Sequence, residues 1–416
     1  MWWKSAIPHH LPFSEGPYVP GCADLMTEYS SAGCFIRLYY PTSLSHIKKY
    51  SARWIPWLAD DMYLEGFSRV LQIWKFVLKF VIWLLAGNCH IPVVWNADVQ
   101  QEGRRLPVIV FSHGLGTSRF FYSTVCTELA SHGFVVAAVE HRDNSASASY
   151  YYKSKDTRAS ATPFWIKFKV IGQGPGHYPA RKKQVEKRVQ ECRRVIDLLE
   201  KLNGGISVDN VLGKDFELGQ FKDRLNLTNL TMMGHSFGGA TALLTLGRDY
   251  RFKFGVILDP WMFSLKEELN LPSTVKQPLL FINTETFHIA PNFYAVKKYT
   301  DTTSNGCGKR TVFTIRGTTH ENQTDTPHLV GYWLNWKMKK LPPIIASRIN
   351  NLLILDFLQK HIELCQPEQL EKKYFTLSII TQETKGSNEK NVWASVRMEL
   401  VPLQAGIVGL FLRSRK

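Results

Sequence analysis

Absences narrow this sequence before any motif is read. Its seven cysteines, Cys22, Cys34, Cys89, Cys126, Cys192, Cys307 and Cys365, form no paired framework and no C-x-x-C. That excludes a disulfide-stapled scaffold and favours a reducing compartment. Zinc-finger spacing and RNA-binding signatures are missing too, so the formal net charge of +16 points to an anionic surface such as phospholipid, not nucleic acid. The start, Met1-Trp2-Trp3-Lys4, lacks the continuous apolar core of a signal peptide. Trp2 stands where myristoylation needs glycine, and the C-terminus carries no prenylation box. The terminal apolar run Leu403 to Leu412 is too short to span a bilayer. These features predict a cytoplasmic, peripherally membrane-associated protein, with secretion as the alternative. Asn226, Asn229 and Asn322 begin N-x-T triplets, but the first two lead into an expected strand, and glycosylation is not expected.

What is present is ample for a core: 416 residues, 44% of them hydrophobic, enough for one large α/β domain or two small ones. Apolar runs of strand length recur at Leu106 to Phe111, Phe134 to Val139, Leu230 to Met233, Phe254 to Leu258, Pro278 to Ile282 and Thr311 to Ile315. Helical patterns lie between several of them, notably Tyr122 to Ser131, Gln184 to Leu202 and Gly239 to Leu246. This alternation predicts a mostly parallel sheet flanked by helices. Lys153 to Pro179, polar, basic and Gly-rich, reads as a long excursion near the site. Much of the positive charge lies in Arg181 to Lys201, between apolar residues at helical spacing, as on a solvated helix face.

Met233-Gly234-His235-Ser236-Phe237-Gly238-Gly239 is a G-x-S-x-G pattern between a strand-like run and a helical one. Such an elbow places a serine on a sharp strand-to-helix turn, with glycines where side chains would clash. Ser236 is therefore the expected nucleophile of a hydrolase. A serine needs a base, and the base needs an acid to hold its tautomer. Asp259, at the end of the run Phe254 to Leu258, is the favoured acid, with Glu285 in reserve and Asp249 a weaker choice. His320, in the loop after Thr311 to Ile315, is the favoured base, with His328 and His288 as alternatives; His235 reads as a support for the turn. The oxyanion hole is expected from the backbone N–H of Phe237 and of Leu115, the latter in Ser112-His113-Gly114-Leu115-Gly116. No metal-ligand cluster is evident, and the chemistry requires neither metal nor cofactor.

Two segments suggest a lipid surface. Tyr63 to Leu85 is nearly continuous in aromatic and aliphatic residues, yet Arg69, Gln72, Lys75 and Lys79 would line one face of a helix. The mid-segment lysines disfavour a spanning helix and suit one lying in a membrane interface, with a buried helix on the sheet as the competing reading. Tyr332 to Lys340, rich in tryptophan and lysine, could likewise sit at headgroup level.

Several stretches together resemble the platelet-activating factor acetylhydrolases of the plasma and intracellular type-II family, the group VII phospholipases A2. They are Gly16-Pro17-Tyr18 with Gly21 to Met26, Phe111 to Gly116, Ala130 to Phe134, Val139 to Asp143, Gly234 to Thr241, Leu258 to Phe263, and Phe357 to His361. The resemblance implies an α/β-hydrolase fold, with Ser236, Asp259 and His320 as triad and Leu115 and Phe237 as oxyanion donors. His113 and Trp261, within the matching motifs, become candidate substrate-pocket residues. It further implies calcium-independent removal of short or oxidised sn-2 acyl groups from phospholipids, on a membrane or lipoprotein surface reached through Tyr63 to Leu85 and Tyr332 to Lys340. A general carboxylesterase or neutral-lipid lipase and a non-catalytic lipid-binding protein are the competing functions. Pro260 departs from the family's usual alanine, and neither the secreted members' signal peptide nor the type-II glycine is seen. Residues 1–370 are expected to form the hydrolase domain, with the interfacial helix near 63–86, and 371–416 a tail of unknown role.

Overall fold

The computed structural model describes residues 10–287, 289–301, 307–331 and 340–362. The tail expected at 371–416, and 332–339 of the second lipid-facing candidate, lie outside the described residues. Nine strands form the central sheet: β1 (Val19–Met26), β2 (Phe35–Thr42), β3 (Val94–Trp95), β4 (Leu106–Ser112), β5 (Val135–Val139), β6 (Leu225–His235), β7 (Phe252–Leu258), β8 (Leu279–Thr284) and β9 (Arg310–Ile315). Their spatial order is β9-β8-β7-β6-β4-β5-β2-β1-β3. From β9 through β5 every pairing is parallel, whereas β2 pairs antiparallel with both β5 and β1.

The expected mostly parallel sheet is present, and its strands alternate faces as a pleat requires. Val108 and Val110 of β4 face one core while Ile109 and Phe111 face the other; Leu279 and Phe281 of β8 do the same against Leu280 and Ile282. One core packs against helices α4 (His177–Asn203) and α5 (Phe237–Arg248), the other against α3 (Ser123–Ser131) and α6 (Pro343–His361). Coverage on both faces explains why these strands read as continuous apolar runs. β6 begins five residues earlier than its apolar run, because Asn226, Thr228 and Asn229 hide it, and its register shifts between Asn226 and Thr231. The region read as one excursion, 153–179, holds a short helix at Lys155–Ala159, the strand Phe164–Lys167 paired with Ala148–Tyr151, and the start of α4.

Tyr63 to Leu85 is not one helix. α1 (Asp61–Leu71) starts at Asp60, whose carboxylate accepts the Met62 N–H at 2.7 Å, and stops at Gln72, which adopts φ 55°; α2 (Lys75–Ala86) follows. A left-handed residue is a common helix terminator. The basic residues consequently form no single stripe: Arg69 and Lys75 both reach Glu65, at 2.9 and 3.8 Å, and Lys79 pairs with Asp61. α1 buries Tyr63 and Leu64, whereas Trp74, just before α2, and Phe76 and Trp83 within it are 75%, 67% and 63% exposed. No helix among the described residues is long and apolar enough to cross a membrane.

Candidate active site

Ser236 sits between β6 and α5 with φ 57° and ψ −117°. A non-glycine residue held there stores strain of roughly 1–3 kcal/mol, so the surroundings must impose it. They do: Ser236 N–H donates to the Leu258 carbonyl at 2.9 Å, and its carbonyl accepts from Trp261 at 2.9 Å and Ala240 at 3.2 Å. A Cβ on Gly234 would lie 2.2 Å from the Gly238 carbonyl oxygen, and one on Gly238 2.0 Å from that of Ser112. Both elbow glycines are therefore required by backbone approach, as the pattern suggested.

Asp259 immediately follows β7 at φ 40° and is fully buried. Its carboxylate accepts the Thr284 N–H at 2.7 Å, the Thr284 hydroxyl at 2.5 Å, and His320 Nδ1 at 3.0 Å. His320 stacks on Phe287 with ring centres 3.9 Å apart and donates its backbone N–H to Thr286. With Nδ1–H committed to Asp259, the Nε2 lone pair of a neutral ring is left to accept a proton. The sheet thus brings together Ser236, Asp259 and His320. Among the described residues these last two, with His235, also form the group with metal-ligand spacing, their ligand atoms lying within 4.8 Å of one another. With Nδ1 of His320 on Asp259 and Nδ1 of His235 on the Tyr122 hydroxyl at 2.9 Å, the trio is arranged for proton handling.

The reserve residues are engaged elsewhere. Glu285 accepts the Gly317 N–H at 2.6 Å and so braces the loop leading to His320. Asp249 pairs with Arg251 and Arg193 at 2.8 and 3.2 Å. His328 lies in the short helix Thr326–Val330, where burial pushes its pKa down to about 4; His288 is outside the described residues. His235 is buried, and burial, with the neighbouring His320, holds its pKa well below the usual histidine range.

The N–H groups of Leu115 and Phe237 donate to no other group among the described residues. Leu115, Gly114, Ser236 and His320 line the polar end of a cleft that opens to solvent. Its apolar end is walled by Phe67 and Leu71 of α1 and by Leu78, Val81 and Ile82 of α2. His113 does not reach the cleft. It is fully buried behind the loop, its Nδ1 on the Gly114 carbonyl at 2.8 Å and its Nε2 accepting the His141 N–H at 3.2 Å. Trp261 packs beside the Phe237 ring and stacks on Phe263 instead of lining the cleft. Sequence reasoning missed Thr284, which holds the acid, and Asn292, which accepts the Met262 N–H and donates to the Pro260 carbonyl. It also missed Tyr122 and Arg188, described below; nothing local marks any of the four, because each acts across the fold.

A serine on a strained elbow, a histidine paired with a buried aspartate, and two free backbone donors, all at the carboxyl edge of a mostly parallel sheet, define a serine hydrolase of the α/β-hydrolase fold. A ferulic acid esterase from Streptomyces cinnamoneus shares the architecture, with a TM-score of 0.59 at 17% identity over 86% of this chain and 96% of that one. The family model described as platelet-activating factor acetylhydrolase, isoform II, matches residues 4–374. The chain is 37% identical to the platelet-activating factor acetylhydrolase of Bos taurus over 85% of its length and 78% of that protein's. It is 38% identical to that of Cavia porcellus over the same shares, and 29% identical to a putative phospholipase A2 of Schizosaccharomyces pombe over 79% of its length and 84% of that protein's. The chain belongs to the platelet-activating factor acetylhydrolase family.

Proposed function

We propose that this protein is a serine esterase that removes short or oxidised sn-2 acyl groups, acetyl foremost, from phospholipids resembling platelet-activating factor. The observation that carries the reading is the His320–Asp259 pair beside Ser236, inside a cleft whose far wall is apolar. Ser236 Oγ attacks the sn-2 carbonyl carbon while His320 Nε2 takes its proton, and Asp259 stabilises the imidazolium. The N–H groups of Leu115 and Phe237 receive the oxyanion. Collapse breaks the ester bond, His320 returns the proton to the departing sn-2 oxygen, and the lysophospholipid leaves. Water, deprotonated by the same histidine, then releases the acid and frees Ser236. The oxyanion is held by the Leu115 and Phe237 N–H groups and every proton passes through His320, so on this reading the reaction needs no calcium and chelators should leave turnover unchanged.

The substrate is presented by a lipid surface, which the exposed rings of Trp74, just before α2, and of Phe76, Phe80 and Trp83 within it would enter while Lys75 and Lys79 meet headgroups. We place the enzyme on a membrane as a peripheral protein, on the cytoplasmic side. There the thiols of Cys22, Cys34, Cys89, Cys126 and Cys192, which form no disulfide among the described residues, would persist.

The test is hydrolysis of an sn-2 acetyl ether phospholipid, a long-chain phosphatidylcholine and a simple neutral ester, in chelator, by wild type and Ser236→Ala. Loss of the nucleophile costs on the order of a millionfold in such triads. Selective, chelator-resistant turnover of the acetyl lipid that vanishes in Ser236→Ala is expected. Turnover of the neutral ester alone would make this a general esterase, and turnover of none a lipid-binding protein.

A further inference from the structure

Both peptide groups that flank Gly114 are tied down, and by different parts of the chain. On its amino side, the Gly114 N–H donates to the Tyr122 hydroxyl at 2.9 Å. The same hydroxyl lies 2.9 Å from His235 Nδ1, on the residue preceding Ser236. Burial keeps His235 neutral, so its Nδ1 can accept the one phenolic proton while a phenolic lone pair takes the Gly114 N–H. On its carboxyl side, the Gly114 carbonyl accepts from Thr117 Oγ1 at 3.0 Å, from His113 Nδ1 at 2.8 Å and from the buried Arg188 guanidinium at 3.4 Å. Arg188 also holds the His113 carbonyl at 2.5 Å and lies over the Phe237 ring, 4.6 Å from its centre.

The Gly114 carbonyl belongs to the peptide unit whose other end is the Leu115 N–H. In a trans peptide the two point in opposite directions, so donors that fix the carbonyl from behind fix the N–H toward the front. A cationic donor on the carbonyl also polarises the peptide and strengthens its N–H as a donor. Tyr122 supplies the remaining constraint, joining the loop that carries Leu115 to the elbow that carries Phe237 through one oxygen atom. A Cβ placed on Gly114 would lie 2.8 Å from that oxygen, so loop and phenol are already in contact.

We propose that Tyr122 is a positioning residue for the oxyanion hole, registering the Leu115 N–H against the Phe237 N–H, with Thr117, His113 and Arg188 setting the direction of the Leu115 N–H from behind. The inference rests on the esterase reading and adds to it a residue that acts on the transition state through the backbone.

Tyr122→Phe keeps the ring and removes the shared oxygen. Because misplacing a donor costs no more than deleting one, we expect kcat to fall about ten- to a hundredfold with KM within about twofold. The discriminating readout is a trifluoromethyl ketone analogue, whose adduct on Ser236 carries a full oxyanion. Its affinity should fall by the same factor as kcat/KM, while an uncleavable ether analogue of the substrate binds unchanged. Thr117→Val, which removes a carbonyl donor at constant shape, should show the same pattern at smaller size, and serves if Tyr122→Phe does not fold. Unchanged kcat, or a loss of kcat with unchanged ketone affinity, overturns the proposal. Neither result touches the esterase reading, which stands or falls on wild type against Ser236→Ala.

Discussion

Thr284 gives Asp259 two of its three hydrogen bonds, one from the backbone and one from the hydroxyl. Thr284→Val removes only the second. A hydrogen bond to a charged acceptor is worth about 1.5–3 kcal/mol, and here the acceptor orients the base. Turnover of a soluble acetyl ester should fall about tenfold, with KM preserved because Asp259 does not line the cleft. An unchanged kcat in steady-state kinetics would mean that the backbone donor alone suffices. The same residue shows where local reading ends. Ser236 was legible because the elbow's constraints are local: glycines two residues either side of a strained serine leave a pattern. Asp259 and His320 were legible by order and by their places after strand-like runs. Thr284 carries no such mark, since its role follows from the parallel register that sets β8 beside β7.

At the level of elements, the strands of the parallel half were readable because both their faces are buried, which turns each into an apolar run. β1 and β2 escaped notice because a charge pair lies inside them: Arg37 meets Asp24 at 2.6 Å, both nearly buried, and Arg119 closes on the same carboxylate at 2.8 Å. Charged residues in a strand read as surface until the partner strand is known. Composition also missed the break at Gln72, a matter of one residue's φ. That break gives α1 and α2 separate directions, so α2 can wall the cleft with Leu78, Val81 and Ile82 while turning Phe76, Phe80 and Trp83 outward. If those outward rings enter lipid, Phe80→Asp with Trp83→Asp removes two half-buried contacts, about 3 kcal/mol together. Vesicle sedimentation should then show partitioning reduced on the order of a hundredfold. Hydrolysis of a soluble ester should be unchanged, because neither ring lines the cleft. Equal partitioning of variant and wild type would remove α2 as the lipid contact.

Across the whole molecule, one buried carboxyl should tie stability to pH. Asp325 accepts hydrogen bonds from the Ser123 and Thr124 N–H groups at the start of α3 and from Trp57 Nε1, at 2.9, 2.9 and 3.0 Å. It thereby fastens the segment after His320 to a helix on one face of the sheet. Burial raises its pKa to about 7 despite these donors. The sign follows: between about pH 4, the ordinary aspartate value, and pH 7 the folded chain holds a proton that the unfolded chain has lost. Its contribution is therefore complete below pH 4 and disappears as pH rises through 7. The full span is about 4 kcal/mol at most, at 1.36 kcal/mol for each pKa unit. Asp325→Asn cannot ionise; its single carbonyl oxygen can keep the Ser123 and Trp57 donors but not the Thr124 N–H, a loss that does not vary with pH. Urea unfolding at pH 5 and pH 8 should show wild type losing stability relative to the variant as pH rises. Because all other titrating groups are common to both proteins, a wild-type-minus-variant difference that does not change between the two pH values would mean Asp325 is ionised throughout. In that case the three donors outweigh burial, and the joint between α3 and the segment after His320 is held by a charge.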